Sequence, residues 1–114
     1  MIKENIKEES KMPIFEKEIR LEAVEELRKE KNEEIEALHE ELKNEKKNVI
    51  KIYYEKELSE HQFGKEIREK CQQNYNEARE EYSKKEREIH TRIERLVKDV
   101  DALDIEIDKI KKEF

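Results

Sequence analysis

The sequence predicts an all-α, elongated protein of the coiled-coil type. Charged residues occupy 51% of the 114 positions, and glycine and proline occur once each. A compact domain with many turns needs more of these two residues, whereas long solvated helices do not. Near the end of the chain, apolar residues recur in alternating steps of three and four, the spacing of a coiled-coil seam. We therefore expect a rod or a hairpin of helices.

The chain divides into a short leader and a long helical region. Residues 1–12 are mostly polar and are expected to form a loose leader. Pro13 suits the first turn of a helix, where its missing N–H costs no hydrogen bond. Acid–base pairs four positions apart, such as Glu88 and Arg92, recur after it and add about 0.2–0.5 kcal/mol each to helix stability. The sequence thus predicts a coiled-coil helical region over residues 13–114.

The apolar stripe is discontinuous in the first half of this region. Its first predicted face consists of Phe15, Ile19, Ala23 and Leu27. The stretch 28–34, which has no apolar side chain, then interrupts it. Because Lys, Arg and Glu are good helix formers, we expect that stretch to remain helical and solvated.

Gly64 leaves two topologies open. It divides the region into segments of nearly equal length, which is typical of an antiparallel helical hairpin. However, Lys65 is a poor N-cap residue, and the apolar face of Phe63, Ile67 and Cys71 continues across the glycine. An isolated glycine inside a helix costs only about 1 kcal/mol. The sequence therefore favours one long near-continuous helix, with a hairpin turning near Gly64 as the alternative.

The C-terminal heptads are the first candidate protein-binding site. β-branched residues at one seam position, with mostly leucine at the other, favour a parallel pair of helices. We expect coiled-coil packing with protein partners, as a homodimer or a hetero-oligomer. The predicted seam residues are Ile93, Leu96, Val100, Leu103, Ile107, Ile110 and Phe114.

A second candidate protein-binding site is the most apolar stretch of the chain, at residues 49–54. On a helix, Val49, Ile52 and Tyr53 point one way, while Ile50 and Tyr54 lie to the side. This arrangement makes the stripe wider than a two-stranded seam requires. It predicts either a locally broader packing face or a docking site for another helix or protein, a role for which aromatic side chains are enriched.

No residue set predicts an enzyme or a cofactor. Glu36 and His39 have the Glu-x-x-His spacing of metal-binding helical bundles, but a site needs a second such pair, and neither His61 nor His90 supplies one. The single Cys71 has no histidine within a helical turn and is expected to fill a seam position as a small hydrophobic residue. We therefore predict no catalytic residues, no metal and no cofactor.

Charge and hydropathy restrict the partners and the compartment. The net charge is −6 with both signs interleaved, so the basic stripe that nucleic acid requires is missing. No apolar run is long enough to span a membrane. A single cysteine and a polar start predict a reducing intracellular compartment, namely the cytoplasm, in the cytoskeleton or another large complex.

The function expected from these patterns is structural. The leading prediction is a non-catalytic coiled-coil subunit that spaces, tethers or scaffolds components of a larger assembly. The alternative is a small helical-hairpin adaptor or chaperone that clasps a partner helix.

Overall fold

A computed structural model describes residues 15–62 and 64–113 of the chain. Nearly all of them lie in two helices, α1 at Lys17–Gln62 and α2 at Lys65–Lys111. The helices pack side by side in a body 83 Å long and 23 by 16 Å in cross-section. The predicted all-α, elongated class is confirmed. The predicted leader, residues 1–12, lies outside the described residues.

The two helices run antiparallel, as a hairpin. Arg20 near the start of α1 pairs with Glu113 after the end of α2, while Glu45 pairs with Lys85 farther along. Of the two predicted topologies, the structure has the hairpin rather than one near-continuous helix. The physical reason is that the hairpin covers the seam of each helix with the other, whereas a single helix would leave it in water.

Gly64 immediately precedes the first residue of α2. It is the N-cap of α2, with extended backbone angles of φ −72° and ψ 174°. Its carbonyl already accepts a hydrogen bond from the N–H of Arg68 at 3.1 Å. No described residue has a positive φ. Gly64 therefore has a conformation that any residue can adopt, and its place before α2 does not depend on the special freedom of glycine.

The seam of α1 is a regular heptad pattern in which charged residues occupy many positions. Its members are buried or half-buried and alternate in steps of four and three: Lys17, Leu21, Val24, Arg28, Lys31, Ile35, Leu38, Leu42, Glu45, Val49, Ile52, Lys56 and Ser59. The helix and its seam thus continue through the charged stretch 28–34. The first predicted face was wrong, because Phe15, Ile19, Ala23 and Leu27 are all exposed.

The seam of α2 is the predicted C-terminal heptad pattern. Leu96, Val100, Ile107 and Ile110 are buried, and Ile93 and Leu103 are half-buried. In the centre of the hairpin, one apolar cluster joins both helices through Leu38, Leu42, Ile89 and Leu96. Burying each such side chain contributes about 1.5–3 kcal/mol. This cluster is the main source of cohesion between the helices.

Charged seam residues of α1 are matched by opposite charges on α2. Arg28 pairs with Asp104, and Lys31 pairs with Asp99 at 3.3 Å. Farther along, the signs reverse: Glu34 pairs with Arg92 at 2.8 Å, and Glu45 pairs with Lys85 at 3.1 Å. Each exposed pair adds about 1 kcal/mol at most. A register shifted by one heptad would replace these pairs with a mixture of like, opposite and uncharged neighbours, for example Arg28 with Lys111, so the pairs help to specify the alignment as well as stabilise it.

Candidate protein-interaction surface

The predicted C-terminal site lies inside the hairpin. Its residues from Ile93 to Ile110 pack against α1 of the same chain, and Phe114 lies outside the described residues. The seam therefore already has a helical partner. Surfaces on the outer sides of the helices are the ones left to contact other molecules.

The second predicted site is divided between the seam and the surface. Val49, Ile52 and Tyr53 are half-buried and face α2, whereas 53% of Ile50 and 59% of Tyr54 is exposed. The division follows from helix geometry, since successive residues are about 100° apart around the axis. Two large apolar side chains therefore remain on the side of α1 that points away from α2.

Leu58 extends this exposed group and was not found from the sequence. It lies four residues after Tyr54, and 58% of it is exposed. Residues four apart lie on the same side of a helix, so Ile50, Tyr54 and Leu58 form one apolar row. The sequence pattern that could have revealed this row is a repeated step of four. It starts at Ile50, one residue after the seam residue Val49.

Tyr54 is supported by a chain of ring contacts. Its ring meets the edge of Tyr53 with the two centroids 5.1 Å apart. Tyr53 in turn contacts Tyr75 of α2 at 5.4 Å, and the Lys56 ammonium lies 5.2 Å from the Tyr53 ring centre. Such aromatic pairs contribute about 0.5–1.5 kcal/mol beyond their buried area. The contacts restrict the exposed ring, which lowers the entropy cost of binding to it.

A second group of exposed apolar residues lies at the other end of α1. The exposed fractions are 48% for Phe15, 54% for Ile19 and 42% for Leu27. Phe15 lies two residues before the start of α1, and its carbonyl accepts a hydrogen bond from Arg20 Nε at 3.1 Å. The outward side of α1 thus carries apolar side chains near both of its ends.

Charges of opposite sign accompany the two apolar groups. Exposed Glu22, Glu26 and Glu30 lie beside the first group, and exposed Lys43, Lys47 and Lys51 lie beside the second. The outward side of α1 therefore carries an acidic row near its start and a basic row in its second half. This polarity does not show in the net charge of the chain.

The residues that the sequence raised as metal ligands or nucleophiles belong neither to these apolar groups nor to the charged rows beside them. Among residues 15–62 and 64–113, no three His, Cys, Asp or Glu side chains are grouped so that they could hold a metal ion. His39, His61 and His90 are exposed and distant in sequence, and Cys71 is a half-buried free thiol. The pKa of the Tyr82 hydroxyl is raised, first by burial and then by the nearby Glu86 carboxylate.

No protein-family model matches the chain, and the comparisons with curated proteins and with solved structures found no similar protein. Within the described part of the chain, neither helix contains a stretch that is sufficiently long and apolar to cross a bilayer. The exposed apolar and charged residues on the outward side of α1 are therefore the features of this chain that bear on its function.

Proposed function

We propose that this chain is a non-catalytic helical structural subunit that spaces, tethers or scaffolds components of a larger protein assembly in the cytoplasm. The observation that carries the proposal is the exposed apolar row of Ile50, Tyr54 and Leu58 on the outer side of α1. The hairpin covers its own seam, so this row is not needed to bury the seam of the described helices. An exposed apolar group of this kind is typical of a protein-binding surface.

The shape of the molecule supports a spacing role. The body is 83 Å long but only 23 by 16 Å across. Two packed helices bend less readily than one helix alone. Bending the pair must also displace the seam residues of one helix relative to those of the other. Partners attached near the two ends of α1 would therefore be held at a roughly constant separation.

The alternative function, an adaptor or chaperone that clasps a partner helix, is favoured by the spacing of the same row. Anchors at steps of four along one helix are the pattern with which helices dock on one another. In that case the row near the turn would be sufficient for binding, and the apolar residues at the start of α1 would not contribute.

Site-specific photo-crosslinking tests the proposal. A photoreactive phenylalanine analogue replaces Tyr54 in one protein and exposed Glu80 of α2 in a matched control. We expect protein adducts from position 54 that disappear when Ile50→Glu and Leu58→Lys are added, and fewer or none from position 80. Equal labelling from both positions, or no adduct from position 54, would refute the proposed surface. A third photoreactive position at Ile19 separates the two functions: adducts there to a protein other than a second copy of this chain favour the scaffold over the clasping adaptor.

A further inference from the structure

Four rows of three residues, each with steps of four, lie along the outer side of α1 and at its start, where Phe15 stands two residues before the helix. The acidic row begins seven residues after the first apolar row, and the basic row begins seven residues before the last apolar row. All twelve residues are exposed. The rows are Phe15, Ile19 and Ala23 (apolar); Glu22, Glu26 and Glu30 (acidic); Lys43, Lys47 and Lys51 (basic); and Ile50, Tyr54 and Leu58 (apolar).

The charges of the acidic and basic rows are not used within the hairpin. None of these six side chains forms an ion pair with another described residue. By contrast, Arg20, Arg28 and Lys31 on the inner side of α1 all pair with acids near the end of the chain. The outer charges are thus available to a partner whose own charges run in the opposite direction.

We propose that the outer face of α1 binds the outer face of α1 in a second copy of this chain, with the two helices antiparallel. The proposal rests on the proposed function, in that it names the occupant of the same surface. The copies are aligned by placing Ile19 of one opposite Tyr54 of the other. Both residues lie on the midline of the face, since they are separated by whole heptads.

That single alignment matches every row with a suitable partner. Residue numbers rise along one helix while they fall along the other, because the pair is antiparallel. The first apolar row of each copy therefore faces the last apolar row of the other, and the acidic row of each faces the basic row of the other. At the same level along the interface lie Phe15 and Leu58, Ala23 and Ile50, Glu22 and Lys51, Glu26 and Lys47, and Glu30 and Lys43.

Symmetry doubles the effect of each match. In an antiparallel pair related by a two-fold axis, every contact between the copies occurs twice. Apolar contacts would therefore close both ends of the interface, with acid–base pairs inside them. The same alignment also brings together Glu33 and Glu40 at the centre, which is expected to stay solvated, and Glu16 and Glu57 near each end. A parallel pair would instead oppose acid with acid and base with base, so the charges select the antiparallel direction.

Charge reversal tests both the partner and the alignment. One variant carries Glu22→Lys and Glu26→Lys, and the other carries Lys47→Glu and Lys51→Glu. Each variant alone opposes like charges at four places in its dimer, and mixing the two variants restores opposite charges at all four. A control carries Glu80→Lys and Glu94→Lys, two exposed acids of α2. Sedimentation equilibrium gives the dissociation constant, native mass spectrometry identifies mixed dimers, and circular dichroism verifies that every variant is helical.

We expect the wild type and the control to form dimers with similar dissociation constants. Each outer-face variant alone should associate about tenfold more weakly or worse, because several surface ion pairs are reversed together. The 1:1 mixture should recover dimers that contain one chain of each kind. A wild type that stays a monomer, variants that associate as well as the control, or a mixture without mixed dimers would overturn the inference. Adducts from position 54 to a different protein, with a monomeric wild type, would leave the proposed function standing without it.

Discussion

The two halves of the hairpin differ in what holds them together. All the buried apolar residues described lie between the centre of the hairpin and its open end, at Leu38 and Leu42 on α1 and between Ile89 and Ile110 on α2. The half near the turn has half-buried aromatic rings, and its one fully buried side chain is Ser59. Of its described apolar side chains, Ile52 is half-buried, whereas Leu58 and Ile67 are exposed.

The difference concerns the stability of the two halves. From the centre of the hairpin to its open end, buried apolar side chains face the other helix and stabilise the hairpin. Near the turn, the described apolar side chains are half-buried or exposed, so they stabilise the contact between the helices less. A region that gains little from its own packing can expose apolar surface at small cost, and such regions are where binding surfaces are commonly located.

The largest expected difference in the free energy of unfolding comes from truncating one leucine near the centre of the hairpin and one near the turn. Leu96→Ala should lower the free energy of unfolding by about 2–5 kcal/mol, because it leaves a cavity in the central cluster. Leu58→Ala removes the same atoms from an exposed site and should change it by about 0.5 kcal/mol or less. Urea denaturation followed by circular dichroism measures both. Similar losses from the two substitutions would mean that the halves do not differ in this way.

Proline substitution tests the position of the turn. Lys65 is the first residue of α2, where proline is favoured, and the extended ψ of Gly64 suits a residue that precedes proline. Lys65→Pro should therefore change the free energy of unfolding by less than about 1 kcal/mol. Lys84→Pro, at an exposed position inside α2, should cost about 3 kcal/mol. If α1 and α2 formed one helix, the two substitutions would be about equally damaging.

The helical, elongated class followed directly from composition and heptad spacing, but the topology did not. The reason is at Gly64, where the chain turns with an ordinary extended residue in place of a left-handed one. The usual signs of a helix end were weak for that reason, while an apolar step of four continued across the turn. The information that decides the topology is in the pairing of distant charges, such as Arg28 with Asp104, which no local pattern shows.

The interaction surface was only partly predictable for a related reason. The sequence identified Ile50 and Tyr54 as outside the seam but placed Ile19 and Leu27 inside it. Charged residues such as Arg28 and Lys31 occupy true seam positions, so hydrophobicity alone selected the wrong side of the helix. Their long aliphatic stems can cover apolar surface while their charged ends pair with α2. Only the burial of these residues shows which side faces inward.

A smaller effect is expected from the N-cap of α2. A Cβ added at Gly64 would meet nothing within 4 Å, and its φ of −72° suits any residue. Gly64→Ser should stabilise the hairpin by about 0.5 kcal/mol, through a cap hydrogen bond and a less flexible unfolded chain. Gly64→Ala should be less favourable than Gly64→Ser, because alanine is a poor N-cap. The opposite order in thermal unfolding would indicate that residue 64 lies inside a helix.

The smallest effect concerns the open end of the hairpin. The hydrogen bonds from Arg20, and secondarily its charge and that of Lys17, lower the pKa of the Glu113 carboxyl below its ordinary value of 4.5. A lowered pKa means that this contact stabilises the fold above about pH 4.5 and is lost as the pH falls through the lowered value. An NMR titration of Glu113 should show the pKa rising towards 4.5 in Arg20→Ala. An unchanged pKa would mean that the pair does not form in solution.

The most direct test of the account is a distance within a single chain. Spin labels are attached at Glu25→Cys and Asp108→Cys in a Cys71→Ser background, and the labelled protein is diluted in unlabelled protein so that only intramolecular pairs contribute. Both positions border the same groove at the open end of the hairpin. Pulsed electron spin resonance should give a short distance, comparable with the 23 Å width of the body. A single continuous helix would separate the labels by about 120 Å, so the absence of a short distance would contradict the hairpin and the outer face defined by it.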